Sequence, residues 1–237
     1  MRKLFTIVGL IIYVQTIGQS LEGAWEWTET QEDGKKVRGV VTFTDRYQSA
    51  ARFDAETGAF ISTNGGLYFI DGNTVTEVVE FDSNNPARVG DSVVFDITWE
   101  GQDQMKIEAA NIVANRVDAG APGALAGAWL ISGRMRDGEV QERSTDGPRK
   151  TMKILSGKRF QWIAYNTETK QFMGTGGGTY TTVDGIYTEN IEYFSRDDSR
   201  VGASLEFTYE IKDGKWHHSG KTSKGDPMYE VWSGRLK

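Results

Sequence analysis

Along the second half of the chain, apolar and polar positions alternate in short runs broken by turn residues about every ten positions, and no stretch sustains a helical period. The runs predict strands at 128–136, 151–155, 159–166, 172–182, 186–195, 203–212, 215–222 and 228–236. Asp137-Gly138, Asp184-Gly185 and Asp213-Gly214 are two-residue hairpin signals between them. The first half repeats the scheme, with Asp33-Gly34, Asp71-Gly72 and Glu100-Gly101 at its turns. Eight strands in about 110 residues suffice to close one antiparallel up-and-down barrel with room for a small ligand.

The two halves are copies. Tyr68, Thr76, Glu77, Glu80, Ser83, Arg88, Val89 and Gly90 recur as Tyr180, Thr188, Glu189, Glu192, Ser195, Arg200, Val201 and Gly202, every pair 112 residues apart. Each half opens on the same phrase, Leu21-Glu-Gly-Ala-Trp25 and Leu125-Ala-Gly-Ala-Trp129, here 104 apart. The eight extra residues fall around 142–150, a Ser-Thr-Asp-Gly-Pro loop. An internal repeat of this length means a duplicated unit. The predicted plan is a leader at 1–20, a first barrel at 21–117, a breaker-rich linker at 118–124 and a second barrel at 125–237.

Alternation also assigns facing. Val75, Glu77, Val79 and Phe81, with their counterparts Tyr187, Glu189, Ile191 and Tyr193, form the apolar and therefore inward set. A carboxylate on that face needs a partner or a raised pKa. Glu189 is therefore a candidate acid/base or ligand contact, against the plainer alternative of an internal structural pair. Glu80 and Glu192 fall on the solvated face. Carrying the 112-residue spacing forward pairs His217 with Met105 and points His217 inward, leaving His218 exposed. Tyr180, Tyr187 and Tyr209 share that interior, so Glu189, His217 and Tyr180 form the candidate catalytic set. Tyr187, Tyr209, Trp162 and Arg200 are the candidate ligand contacts. Arg200 lies in a turn, where a local salt bridge competes with that role. Facing is ambiguous on the strand of Trp162, because Phe160 and Ile163 both read as buried. The first half has Met105, Val75 and Ile97 where the second has His217, Tyr187 and Tyr209, so one site is expected, in the second barrel.

Composition narrows the classes. The formal charge of −6 and the lack of a basic cluster argue against nucleic acid as a partner. There is no Cys, which excludes disulfides, thiolate metal sites and a lipidated N-terminal cysteine. Two adjacent histidines on a strand cannot both face one ion, so no metal site and no cofactor is expected. Gly174–Gly178 lacks the Lys-Ser/Thr and the following helix of a phosphate loop. Arg2 and Lys3, an apolar run too short for a bilayer span, and small residues at Gly18 and Ser20 read as a cleaved export signal, giving a secreted or periplasmic protein.

The opening Gly-x-Trp, at Trp25 and Trp129, with Arg116 and Arg235 on the closing strands, resembles the calycin group, and the chain as a whole resembles bacterial secreted lipocalin-like proteins in tandem. The resemblance implies that each Arg covers its Trp ring at the closed end, and that the barrel holds a small ligand. The expectation is an exported all-β protein of two tandem eight-stranded lipocalin-like barrels, with a small amphipathic or carbohydrate-type ligand in the second. The alternative is a lyase, dehydratase or isomerase acting on unsaturated oligosaccharides by Glu/His/Tyr chemistry.

Overall fold

The computed structural model describes residues 19–120, 123–222 and 225–235. The expected leader falls, apart from Gln19 and Ser20, outside the described residues. The chain is all-β, and the strands follow the alternating runs closely. The first barrel is built of β1 (Gly23–Thr30), β2 (Lys36–Phe43), β3 (Tyr47–Asp54), β4 (Phe60–Asp71), β5 (Thr74–Asp82), β6 (Ser92–Trp99), β7 (Gln104–Ile107) and β8 (Ile112–Asp118), each paired with the next and β8 with β1. The second consists of β9 (Gly127–Arg136), β10 (Glu139–Glu142), β11 (Arg149–Leu155), β12 (Arg159–Asn166), β13 (Gln171–Val183), β14 (Ile186–Phe194), β15 (Ser204–Lys212), β16 (Lys215–Lys221) and β17 (Pro227–Gly234). Eight of these close on themselves through β17–β9 pairing, while β10 hangs on β9 as an added hairpin strand.

The extra residues of the second half are thus partly ordered. Asp137 and Gly138 both take positive φ, 53° and 84°, as a two-residue hairpin turn requires, and the same holds at Asp184-Gly185 and Asp213-Gly214.

The two barrels pack side by side about a local two-fold relation. Phe53 stacks on Tyr193 with ring centroids 4.7 Å apart, and Tyr165, the counterpart of Phe53, meets Phe81, the counterpart of Tyr193, at 4.9 Å. Counterparts also meet each other: Phe60 stacks on Phe172, and Ser49 donates to Gln161 at 2.6 Å. Gln161 Nε2 in turn donates to Thr63 and Thr175, again counterparts, at 2.8 and 2.9 Å. This buried face explains the ambiguity on β12: Phe160 fills the barrel and Ile163 packs against the first barrel, so both are buried.

Two facing expectations are corrected here. Phe81 and Tyr193 do not point inward. A bulge opposite Gly66 in β4 and Gly178 in β13 shifts the register of β5 and β14, and the last residues of each swing to the outer, inter-barrel face. The strands approach so closely there that a Cβ on Gly66 or Gly178 would sit 2.0 Å from the Val78 or Asn190 carbonyl oxygen. Glu80 and Glu192 are likewise not simply solvated. Glu80 receives both nitrogens of Arg235 at 2.7 and 2.6 Å, and Glu192 both nitrogens of Arg159 at 2.8 and 2.7 Å plus Arg38 at 3.3 Å.

The closed ends of the barrels are alike only in part. Trp25 and Trp129 each donate an indole N–H to the carbonyl four residues earlier, at 2.9 Å in both cases. Arg116 lies over Trp25, 4.0 Å from the ring centroid. Arg235 does not cover Trp129. Trp129 pairs with Gly234, so Arg235 lies one residue past the covering position and faces out, over Tyr47 at 3.9 Å.

Candidate functional site

The second barrel encloses a cavity of about 390 Å³ that opens at one end. Its polar floor owes its cation to one substitution between the copies. Val41 of β2, opposite Trp25, corresponds to Lys153 of β11, opposite Trp129. Lys153 is buried, and its Nζ donates to Glu189 Oε1 at 2.7 Å. The Tyr187 hydroxyl donates to the same oxygen at 2.9 Å. The ammonium is also ringed by aromatic faces, 4.9 Å from Trp216, 5.0 Å from Tyr187 and 5.2 Å from Trp232. A lysine charge in such a setting is held by its carboxylate and by cation–π attraction.

A second polar pair forms the wall. His218 and Glu230 face each other across β16 and β17, with Nδ1 to Oε2 at 3.7 Å, and neither His218 ring nitrogen has a hydrogen-bond partner. Burial, reinforced by the Lys153 charge, depresses the His218 pKa and keeps the ring neutral. Burial opposes ionisation of Glu230, but His218, Lys153 and Arg134 together hold its pKa below the usual carboxylate range. Arg134 Nε and the Trp232 indole N–H bond its two oxygens at 2.9 and 3.2 Å.

The mouth is cationic. Arg134, Arg143, Arg149 and Arg196 line it together with Trp162, Phe194, Phe207 and Met228. Arg143 is half-buried, and its pKa is depressed first by burial and then by repulsion from Arg134, Arg149 and Arg136. Among the described residues no carboxylate forms an ion pair with Arg143 or Arg149. The protein is net acidic, yet this cavity gathers five cationic side chains against two carboxylates.

Of the expected catalytic set, Glu189 lies on the cavity. Tyr180 is buried beneath it, its hydroxyl bound to the Ser156 carbonyl at 2.5 Å as Tyr68 is to Thr44 at 2.7 Å. That bond is a shared feature of both barrels. His217 points outward and meets the Tyr229 hydroxyl at 2.7 Å; the inward imidazole is His218. The correction has a simple cause. Lys212 pairs with Lys215 around a two-residue turn, whereas the first barrel needs three residues between Glu100 and Gln104. Beyond that turn the spacing drops to 111, so Met105 corresponds to Trp216 and Ile107 to His218. Every side chain changes face with a one-residue slip.

Among the expected ligand contacts, Trp162 lines the cavity, 5.4 Å from Phe194. Tyr187 supports Glu189 from behind, and Tyr209 packs at the edge of the core. Arg200 lies off the cavity, its Nε 3.3 Å from Asp197 in its own turn. Sequence reasoning missed Lys153, Glu230 and the arginine collar. A lysine in the apolar run Met-Lys-Ile-Leu, in register with Val41, was the available signal.

Among the described residues, no cluster of three metal-ligating side chains forms, and no helix is long and apolar enough to cross a membrane. Residues 124–236, the span of the second barrel, match the model of a domain of unknown function (DUF4488). A comparison with curated proteins returns no match.

Proposed function

We propose that this is an exported lipocalin-like protein whose second barrel holds a small amphipathic ligand, of carbohydrate or aromatic type, by a negatively charged end. The observation that carries the reading is the half-buried Arg143, clustered with Arg134 and Arg149 at the mouth of an aromatic-walled cavity. Like charges gathered around the half-buried Arg143 repel one another, and an anion relieves them. Trp162 and Phe194 offer faces for a sugar or aromatic ring below the collar. Export rests on the basic-apolar-small pattern of the first twenty residues.

Titration of the full chain with benzoate and with glucuronate tests the reading. Binding should weaken at least tenfold in Arg143→Ala and fall with added salt. Equal affinity for the neutral amide and methyl ester would sink it.

A second reading, acid–base catalysis on unsaturated oligosaccharides, is favoured by His218 at the cavity wall, its pKa depressed by burial and its Nδ1 facing Glu230 at 3.7 Å. In that reading the arginines hold a uronate carboxylate, and His218 takes a proton from a saturated ring carbon (the carbon bearing the carboxylate has none in an unsaturated uronate). The hydroxyl on the next carbon leaves as water with a proton from solvent. Turnover of an unsaturated uronate oligosaccharide that disappears in His218→Gln supports it. Stable complexes without turnover leave carriage as the function.

A further inference from the structure

The first barrel contains its own cavity, about 330 Å³, lined by Trp27, Phe43 and Phe95 around one buried carboxyl, Glu77, together with Arg52 and Arg88, which are ion-paired to Glu29 and Asp82. Glu77 occupies the position of Glu189, but its surroundings differ in one respect. The ammonium that satisfies Glu189 belongs to Lys153, and the first barrel has Val41 there. Among the described residues no cation forms an ion pair with Glu77. Its polar neighbours are the Gln48 side chain and the Asn64 amide, the latter at a long 3.5 Å, and the nearby Arg88 is engaged by Asp82 at 2.9 Å.

A second, independent feature belongs to the same cavity. The Trp27 indole N–H is buried without a hydrogen-bond partner. Native interiors seldom leave such groups unmet, so the cavity calls for an occupant with a cation for the carboxyl and, because an ammonium has no acceptor, a separate acceptor atom for the indole N–H. The shorter side chain at Val41 leaves empty the place that the lysine stem and ammonium fill in the sibling.

We infer that the first barrel binds a small primary amine whose apolar body carries an acceptor atom for Trp27, its ammonium taking against Glu77 the place that Lys153 Nζ takes against Glu189. The aromatic walls suit it twice over, as apolar surface for the body and as π faces for the charge. This site is separate from the collared cavity of the second barrel and opposite in preference. The protein would then carry two ligands of opposite charge, one in each copy.

Calorimetric titration of the full chain with phenethylamine tests this, with 2-phenylethanol and phenylacetate as isosteres. The amine should bind with 1:1 stoichiometry, at least tenfold more tightly than either isostere. Glu77→Gln should weaken it at least tenfold, and Val41→Lys, which supplies a tethered ammonium, should abolish it. Saturating benzoate should leave amine affinity unchanged. Equal binding of amine and alcohol, an unaffected Glu77→Gln, or displacement by benzoate would each overturn the assignment. Absence of any amine binding in a folded wild-type protein would overturn it as well.

Discussion

Lys153 Nζ lies 2.7 Å from Glu189 Oε1, and both side chains are buried inside the second barrel. Breaking such a pair from one side strands the other charge in a low-dielectric interior, which costs far more than the pair contributes over an apolar replacement. Lys153→Met should therefore destabilise the protein by about 3 kcal/mol in urea unfolding at pH 7. Lys153→Met combined with Glu189→Leu should recover at least half of that loss. A double variant as unstable as the single one would mean that packing, not the stranded charge, dominates.

The inter-barrel face supplies the second prediction. Arg235 meets Glu80 with two short bonds and lies over Tyr47, while Tyr165 donates to the same carboxylate at 2.6 Å. Arg235→Ala leaves Glu80 largely buried with only a phenol to hold it, and should cost about 3 kcal/mol. Because the lost contact joins the barrels, calorimetric unfolding should broaden or split into two transitions. A single sharp transition at the wild-type temperature would show that the remaining inter-barrel contacts hold the face together without Arg235.

Much of this architecture was legible in the sequence because period-2 alternation and Asp-Gly turns act locally. The strands of the second half fall within a few residues of the runs that predict them, and the repeat gave both barrels. Facing failed where a local rule met a non-local event. Bulges at Gly66 and Gly178 turned Phe81 and Tyr193 outward, and a turn shorter by one residue exchanged His217 for His218. Burial on the outside of β12 was invisible because the partner surface is the other copy. Glu189 is legible as a polar intrusion into an apolar face; Lys153 intrudes in the same way, and its comparison with Val41 is the signal that marks it.

His218 gives the stability a pH dependence of known sign. Glu230, Glu189, Lys153 and Arg134 surround the ring, and burial with the Lys153 charge depresses its pKa in the folded state. The unfolded chain takes up a proton near pH 6.5 that the folded one excludes, so stability falls as pH drops below about 6.5. His218→Phe should lose less stability between pH 8 and pH 5 than the wild type does. The depressed Glu230 carboxyl contributes only at lower pH, below the unfolded value of about 4.3, and stays out of this window. Parallel pH curves for the two proteins would refute the assignment.

Glu77 and Glu189 occupy the same place in two copies of one barrel, yet neutralising them should act in opposite directions. Burial raises the Glu77 pKa, with only partial relief from Arg88 and from the Asn64 and Gln48 side chains. A raised carboxyl pKa contributes stability that is fully present below the unfolded value of about 4.3 and is lost as pH climbs through the folded one. Glu77→Gln should thus be more stable than wild type at pH 7, with the gap closing toward pH 4. Glu189→Gln removes the counter-charge of Lys153 and should destabilise by about 3 kcal/mol at pH 7. Urea unfolding of both variants at pH 7 and pH 4 decides the matter. Losses of equal size in both would mean that the valine at position 41 has not changed the electrostatics of the first barrel.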